Sequence, residues 1–187
     1  MKTLYIVAGA NGSGKTTFAK SFTAINDLYF INADEIAKEL DKDNITKYKI
    51  KAGKIFFEEF ERQLSLNESF VVETTLSGKY LAKYIQKAKA LDFYTVLIYL
   101  FLENPQTNIL RVENRVRNGG HHVPIQDIIR RFYRSKNMFQ HLYKDLVDDW
   151  SIYYNSNEIF EAIADKNQIF DNEKYQQFLK DTHETNH

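Results

Sequence analysis

The chain has 187 residues, 43% of them hydrophobic and 27% charged, with 25 Lys and Arg balanced by 25 Asp and Glu. That length predicts a single domain over residues 1–187, deep enough for three layers. A formal net charge of zero supplies no global field for nucleic acid or an anionic membrane, and the absence of Cys excludes disulfides, zinc–cysteine sites and thiol catalysis. The longest apolar run, Phe93 to Leu102, is too short to span a bilayer. The N-terminus leads straight into a strand pattern with no room for a signal peptide, so the expected compartment is the cytoplasm.

In chain order, residues 4–8 (Leu4 to Ala8) read as a short buried strand. Gly9-Ala10-Asn11-Gly12-Ser13-Gly14-Lys15-Thr16 follows and matches the phosphate-binding pattern G-x-x-x-x-G-K-[ST]. Only seven Gly occur in the chain, and three of them fall inside this one loop. A helix is predicted over 14–24. Strand, glycine loop and helix N-terminus together aim backbone N–H groups and the positive helix end at a polyphosphate. Ser13 and Thr17 would add polar groups to that cradle. Lys15 is placed to reach the β- and γ-phosphates, and the Thr16 hydroxyl to hold Mg²⁺.

A second strand is predicted over 28–32 and a helix over 34–41. Asp34, just past the strand, is a candidate to accept the proton of a substrate hydroxyl and align it for in-line attack. Asn32 and Glu35 also form a plausible capping pair, which would make Asp34 a first-turn carboxylate. The helix over 46–66 is expected to bury Ile50, Ile55, Phe56, Phe60 and Leu64, leaving Lys47, Lys49, Lys51 and Lys54 as a solvated face. The third strand, 70–73, ends in Glu73-Thr74-Thr75, where the apolar run stops. Glu73 suits Mg²⁺ waters or a sugar hydroxyl, and Thr74 and Thr75 suit substrate contacts; Thr75 or Ser77 equally suits a helix cap.

Helices are predicted over 78–91, 105–117 and 124–148, with strands over 94–102 and 150–154. Pro105 and Pro124 each fall where a first helical residue belongs. The last thirty residues carry the pattern of a hairpin or helix, within a short C-terminal extension over 156–187. Alternation of strands and helices predicts an α/β fold, a parallel sheet covered on both faces. Ligands in such folds bind at the carboxyl ends of the strands.

Six of the seven Arg lie between 111 and 134: Arg111, Arg115, Arg117, Arg130, Arg131 and Arg134. Arg offers a planar fork for phosphate oxygens and stays charged when water is excluded. Gly119-Gly120 and Pro124 bracket a hinge-like stretch, so residues 117–124 read as a lid between two Arg-bearing helices. Ile109, Val112 and Val116 mark the buried face of the first helix, with Arg111 and Arg115 opposite. Ile125, Ile129, Phe132, Phe139, Tyr143 and Leu146 mark that of the second. His121 and His122 read as loop polar residues, without a partner at metal-ligand spacing. No Asn-Lys-x-Asp motif of a GTPase switch is present, and the strand at 94–102 lacks the Asp-Glu ending of a motor ATPase.

The segments GANGSGKTTFA, FINADEIA, FVVETTLSG, RVENRVRNGGHHVP and IIRRFYRS, taken as a series over residues 4 to 155, resemble the zeta-toxin-type P-loop kinases in their short stand-alone bacterial form. The resemblance implies a three-layer P-loop fold with strand order 2-3-1-4-5, ATP and Mg²⁺, and UDP-N-acetylglucosamine as acceptor. It implies Lys15 and Thr16 as phosphate and Mg²⁺ ligands, Asp34 as base, Glu73 on the substrate side, and Arg117 as lid arginine, with Arg115 and Arg131 as further candidates. It also implies an antitoxin partner. The stretch Glu73-Thr74-Thr75-Leu76-Ser77-Gly78 departs from the Glu-Gly-Thr pattern of longer members. Alternative readings are a kinase for a nucleoside, an antibiotic or a nucleic-acid 5′-hydroxyl, and a non-catalytic ATP-binding module.

Overall fold

The structure, a computed structural model, describes residues 1–42, 45–156 and 159–182. Among them, six strands form one sheet in the order β2-β3-β1-β4-β5-β6. The strands are β1 (Thr3–Ala8), β2 (Tyr29–Asn32), β3 (Phe70–Thr74), β4 (Tyr94–Phe101), β5 (Asp149–Ser156) and β6 (Ile159–Asp165). The first five pair in parallel, and β6 closes the edge antiparallel to β5. The expected 2-3-1-4-5 order is therefore present, extended by one strand.

The central strands are apolar over most of their length because both of their faces are covered. Leu4, Ile6, Phe70, Val72, Leu97, Tyr99 and Phe101 point into the larger core, while Val7, Val71 and Leu100 point to the opposite side. The side-chain period of two sorts each strand between the layers. Helix α1 (Lys15–Asn26) covers the smaller core with Phe18, Ala19 and Phe22. The larger core takes Phe56, Phe60 and Leu64 of α3 (Ile45–Leu66) and Ile85 of α4 (Leu81–Ala90). It also takes Phe139 and Tyr143 from a π turn, Phe139–Tyr143, that continues α6 (Ile125–Met138) into α7 (Lys144–Leu146). Helices α2 (Ala33–Leu40) and α5 (Pro105–Arg117) stand at the carboxyl edge of the sheet.

Several side chains face otherwise than their sequence spacing suggests. Ile50 is 80% exposed, since α3 buries Ala52 and Phe56 in its place. On α6 the buried stripe is Ile128, Phe132 and Ser135–Lys136, which leaves Ile125 and Ile129 exposed. One residue of helix rotates a side chain by about 100°, so packing against Val112 and Val123 selects Ile128 over its neighbours. Pro105 is the first residue of α5, but Pro124 lies one residue before α6. Neither Thr75 nor Ser77 caps α4; their hydroxyls bond each other across 3.0 Å. The C-terminal pattern resolves into both alternatives: β6 forms a hairpin with β5, and α8 (Asn172–Lys180) is capped by Asp171.

Candidate active site

Parallel register brings the polar ends of β2 and β3 into one row beside the end of β1. Glu73 on β3 lies opposite Val7 of β1 and Asn32 of β2, at the carboxyl edge where each apolar run ends. The phosphate loop leaves β1 there and turns into α1. Gly12 and Gly14 hold φ of 83° and 92°, the left-handed region open to glycine. A Cβ on Gly12 would meet the Asn108 carbonyl at 2.6 Å, and one on Gly14 would collide with the Asn155 amide.

The loop is braced by distant residues. The Asn155 side chain donates to the Ser13 carbonyl at 2.9 Å, and that of Asn108 to the Asn11 carbonyl at 2.6 Å. The Arg131 guanidinium donates to Asn11 Oδ1 at 2.9 Å. Lys15 Nζ donates to the Ala10 carbonyl at 2.9 Å and lies 3.9 Å from Glu73 Oε1. Burial pushes the Lys15 ammonium below its ordinary pKa, against the favourable charges of Glu73 and Asp34. Burial likewise raises the Glu73 carboxyl, opposed by Lys15 and by the Thr16 hydrogen bond. Both members of the pair are thus drawn toward their neutral forms.

One side chain, Asn32, ties the second strand to the site. Its Oδ1 accepts from the backbone N–H groups of Asp34 at 2.7 Å and Glu35 at 3.3 Å, capping α2. Its Nδ2 donates to Glu73 Oε2 at 2.6 Å. Thr16 donates its hydroxyl to the other oxygen, Oε1, at 3.0 Å. Asp34 is therefore a first-turn carboxylate of α2, exposed and facing the cleft.

Two adjoining cavities meet over this floor. One, of about 760 Å³, extends along the phosphate loop and α1, with Arg111, Arg115, Asn155 and Phe160 on its far walls. The other, of about 320 Å³, runs toward Phe56, Phe57, Thr74, Thr75 and Lys49. Arg131 lines the second cavity. Arg115 donates to the His121 carbonyl at 2.9 Å, holding the lid. Gly9 is buried at the start of the loop and lines neither cavity, and Thr17 lines the larger cavity beside Lys20. Arg117 is exposed and lines neither cavity, so the fold does not bring it together with Lys15 and Asp34.

Asn155, Phe160, Asn32 and His121 line the site although nothing in their sequence context pointed to it, and Arg111, one of the six arginines offered as phosphate ligands, lines the larger cavity. Lys49, expected on a solvated face, instead lines the smaller cavity.

The residues present fit a polyphosphate and its divalent cation. Lys15 and the left-handed glycines Gly12 and Gly14 open the loop to the larger cavity, and α1 carries no acidic residue in its first turn. Ser13, by contrast, lines neither cavity, and its buried Oγ has no hydrogen-bond partner among the described residues. Thr16 and Glu73 would offer oxygens to a divalent cation. Among the described residues no cluster of three or more His, Cys, Asp or Glu is placed to hold a metal by itself. No helix there is long and apolar enough to cross a membrane.

Comparison with known proteins agrees with this architecture. An uncharacterized protein of Haemophilus influenzae is 32% identical over 125 residues, covering 67% of this chain and 88% of its own. A structure from the PezAT chromosomal toxin–antitoxin system of Streptococcus pneumoniae superposes with a TM-score of 0.70 at 19% identity, over 95% of this chain and 77% of that one. The AvrRxo1-ORF1:-ORF2 complex with ATP gives a TM-score of 0.79 at 15% identity, over 100% of this chain and 66% of that one. The Zeta toxin family model matches residues 1–174. With that match spanning nearly its whole length, and a phosphate loop set in a 2-3-1-4-5 sheet, the chain belongs to the Zeta toxin family and has the fold of the P-loop kinases.

Proposed function

We propose that the chain is an ATP-dependent phosphotransferase that moves the γ-phosphoryl of ATP to a hydroxyl, with UDP-N-acetylglucosamine as the acceptor its family resemblance favours. The observation that carries this reading is the meeting of two cavities over Lys15, Asp34 and Glu73. A nucleotide-binding module needs only the first cavity; a transferase needs a second, opening on the same phosphate position.

In this reading ATP lies along the larger cavity with its phosphates on the loop amides and Lys15. A Mg²⁺ ion bound there would supply positive charge against that developing on the transferred phosphoryl. Thr16 would hold it directly, and Glu73 through water. Asp34 accepts the acceptor proton as the hydroxyl oxygen bonds to the γ-phosphorus, and ADP departs with the bridging oxygen. Arg111, Arg115 and Arg131 supply charge around the transferred group. Arg117 takes no part unless the lid moves. The AvrRxo1 complex with ATP supports ATP as donor, and the PezAT system supports an antitoxin partner. The compartment in this reading is the cytoplasm, the domain is one unit over 1–187, and neither nucleic acid nor membrane is a partner.

The test is an ADP-release screen with UDP-sugars, nucleosides, aminoglycosides and 5′-hydroxyl oligonucleotides. Stimulation by UDP-N-acetylglucosamine supports the full reading, and stimulation by another acceptor keeps the transferase and replaces the sugar. Nucleotide binding with no stimulation by any of them leaves only the binding module.

A further inference from the structure

Asn11, Lys15, Asn32, Asp34, Glu73 and His121 line both cavities. The first five come from the carboxyl edge of the sheet: the phosphate loop, the β2–α2 junction and the end of β3. They form the floor of the junction. His121 stands apart, because it comes from the lid between α5 and α6. The shared lining of the two cavities therefore consists of that floor and His121.

The ring is held in place from the backbone side. Its carbonyl accepts from Arg115, and the following Val123 is buried against Val112 and Ile128. Its Nε2 is buried and has no hydrogen-bond partner among the described residues. A buried imidazole nitrogen without a partner is costly in a finished core and common where a ligand completes the bond. The charged and titratable groups acting on the ring are Lys49 of α3, Asp34 of α2, Arg115 of α5 and the adjacent His122. Burial, then the Lys49 charge, lowers the ring's pKa below that of an ordinary histidine, which favours the neutral form at pH 7.

We propose that His121 is a substrate-orienting residue, whose Nε2–H donates to the acceptor hydroxyl oxygen while Asp34 accepts that hydroxyl's proton. The two contacts act on one oxygen from opposite sides. Its O–H bond points at the Asp34 carboxylate, one lone pair is engaged by the imidazole, and the other is left facing the γ-phosphorus. The proton moves only to Asp34, the new P–O bond forms at the acceptor oxygen, and the bond to ADP breaks. His121 changes no protonation state; it fixes the direction of attack. This inference rests on the phosphotransferase reading above.

The experiment uses the full chain and whichever of UDP-N-acetylglucosamine, the nucleosides, the aminoglycosides or the 5′-hydroxyl oligonucleotides gives the largest ADP release. His121→Ala is expected to lower kcat/KM for that acceptor by about 10- to 100-fold, the scale of a lost orienting contact. Gln places an amide where Nε2 stood, whereas Asn places one where Nδ1 stood. His121→Gln is therefore expected to recover most of the loss and His121→Asn little of it. A role confined to lid folding would not separate Gln from Asn. In parallel, the imidazole ¹⁵N signals of the chain are followed with β,γ-imido-ATP and Mg²⁺ present, before and after adding the acceptor. The Nε2 resonance of His121 is expected to move on acceptor addition. With turnover intact in the wild type, an unmoved Nε2, an unimpaired His121→Ala variant or equal Gln and Asn variants would each overturn the His121 role and leave the transferase standing. If no acceptor is turned over, the transferase reading falls first, and this role with it.

Discussion

The Thr16 hydroxyl donates to Glu73 Oε1 across 3.0 Å, joining the first turn of α1 to the end of β3. The other carboxylate oxygen accepts from Asn32 at 2.6 Å, so Glu73 is held by two donors from two different elements. Its orientation is fixed toward the hydroxyl expected to bind Mg²⁺. Glu73→Gln removes the negative charge and replaces one acceptor oxygen with a donor, so that the remaining oxygen still accepts from Asn32 while the Thr16 hydroxyl must accept rather than donate. The apparent Mg²⁺ affinity in steady-state turnover should weaken by about 10- to 100-fold, as for other groups that orient a metal ligand. A titration of initial rate against Mg²⁺ reads this directly; an unchanged midpoint would remove Glu73 from the cation site.

Lys15 and Glu73 lie 3.9 Å apart and burial drives both toward neutrality, so the expectation is that their pairing adds nothing to the stability of the ligand-free fold. Lys15→Ala should abolish both nucleotide binding and turnover. The double variant Lys15→Met with Glu73→Gln should also be as stable as the wild type without nucleotide, or more stable by about 1–4 kcal/mol. Urea denaturation of the two proteins compares them. A large loss of stability would mean that the pair is structural.

Asp34 lines both cavities while its backbone N–H is capped by Asn32, so side chain and helix start are held by separate contacts. Asp34→Ala should cut kcat by about 10²- to 10⁴-fold, the range of a lost general base. ATP affinity, measured by calorimetry with a non-hydrolysable analogue, should stay close to wild type. Loss of ATP affinity with turnover retained would assign Asp34 to nucleotide binding.

Lys136 is 1% exposed, paired with Asp181 beyond α8 and held 4.0 Å from the centre of the Phe132 ring. Burial lowers its pKa from 10.5 to about 8, with Asp181 opposing the shift. A base with a folded pKa below its unfolded value is protonated in both states below about pH 8. Between there and about pH 10 the unfolded chain binds more protons, so this group's contribution to stability rises with pH. Lys136→Met removes that rise, so the stability of the variant relative to wild type should fall from pH 7 to pH 10 in urea titrations. Asp181→Asn strips the partner from a buried cation and should cost about 3 kcal/mol at pH 7. A pH-independent difference between Lys136→Met and wild type would show that the ammonium is solvated.

Much of the site was legible because its parts are local. The loop from Gly9 to Thr16 carries its chemistry in eight consecutive residues, and Asp34 and Glu73 follow apolar runs that end where a parallel sheet places its ligands. What was not legible depends on side-chain direction. Arg111, Arg115, Arg117 and Arg131 look alike in sequence, yet only three line a cavity. Ile50, Ile125 and Ile129 fit a buried spacing, yet the helices turn other residues inward. A helix face is selected by what packs against it, and that information lies in other parts of the chain.

The sequence by itself determined the phosphate loop, the alternation of strand and helix that calls for a parallel sheet, and the carboxylates at the strand ends. Each is written within a few residues, where backbone propensity and apolar periodicity act. Only the tertiary structure decided that Asn155 braces Ser13 from 142 residues away, that Lys136 lies among aromatic rings, and that the lid sets His121 over the junction of two cavities. Those are contacts between segments distant in sequence, fixed by strand register and helix rotation, and they exist only once the layers have packed.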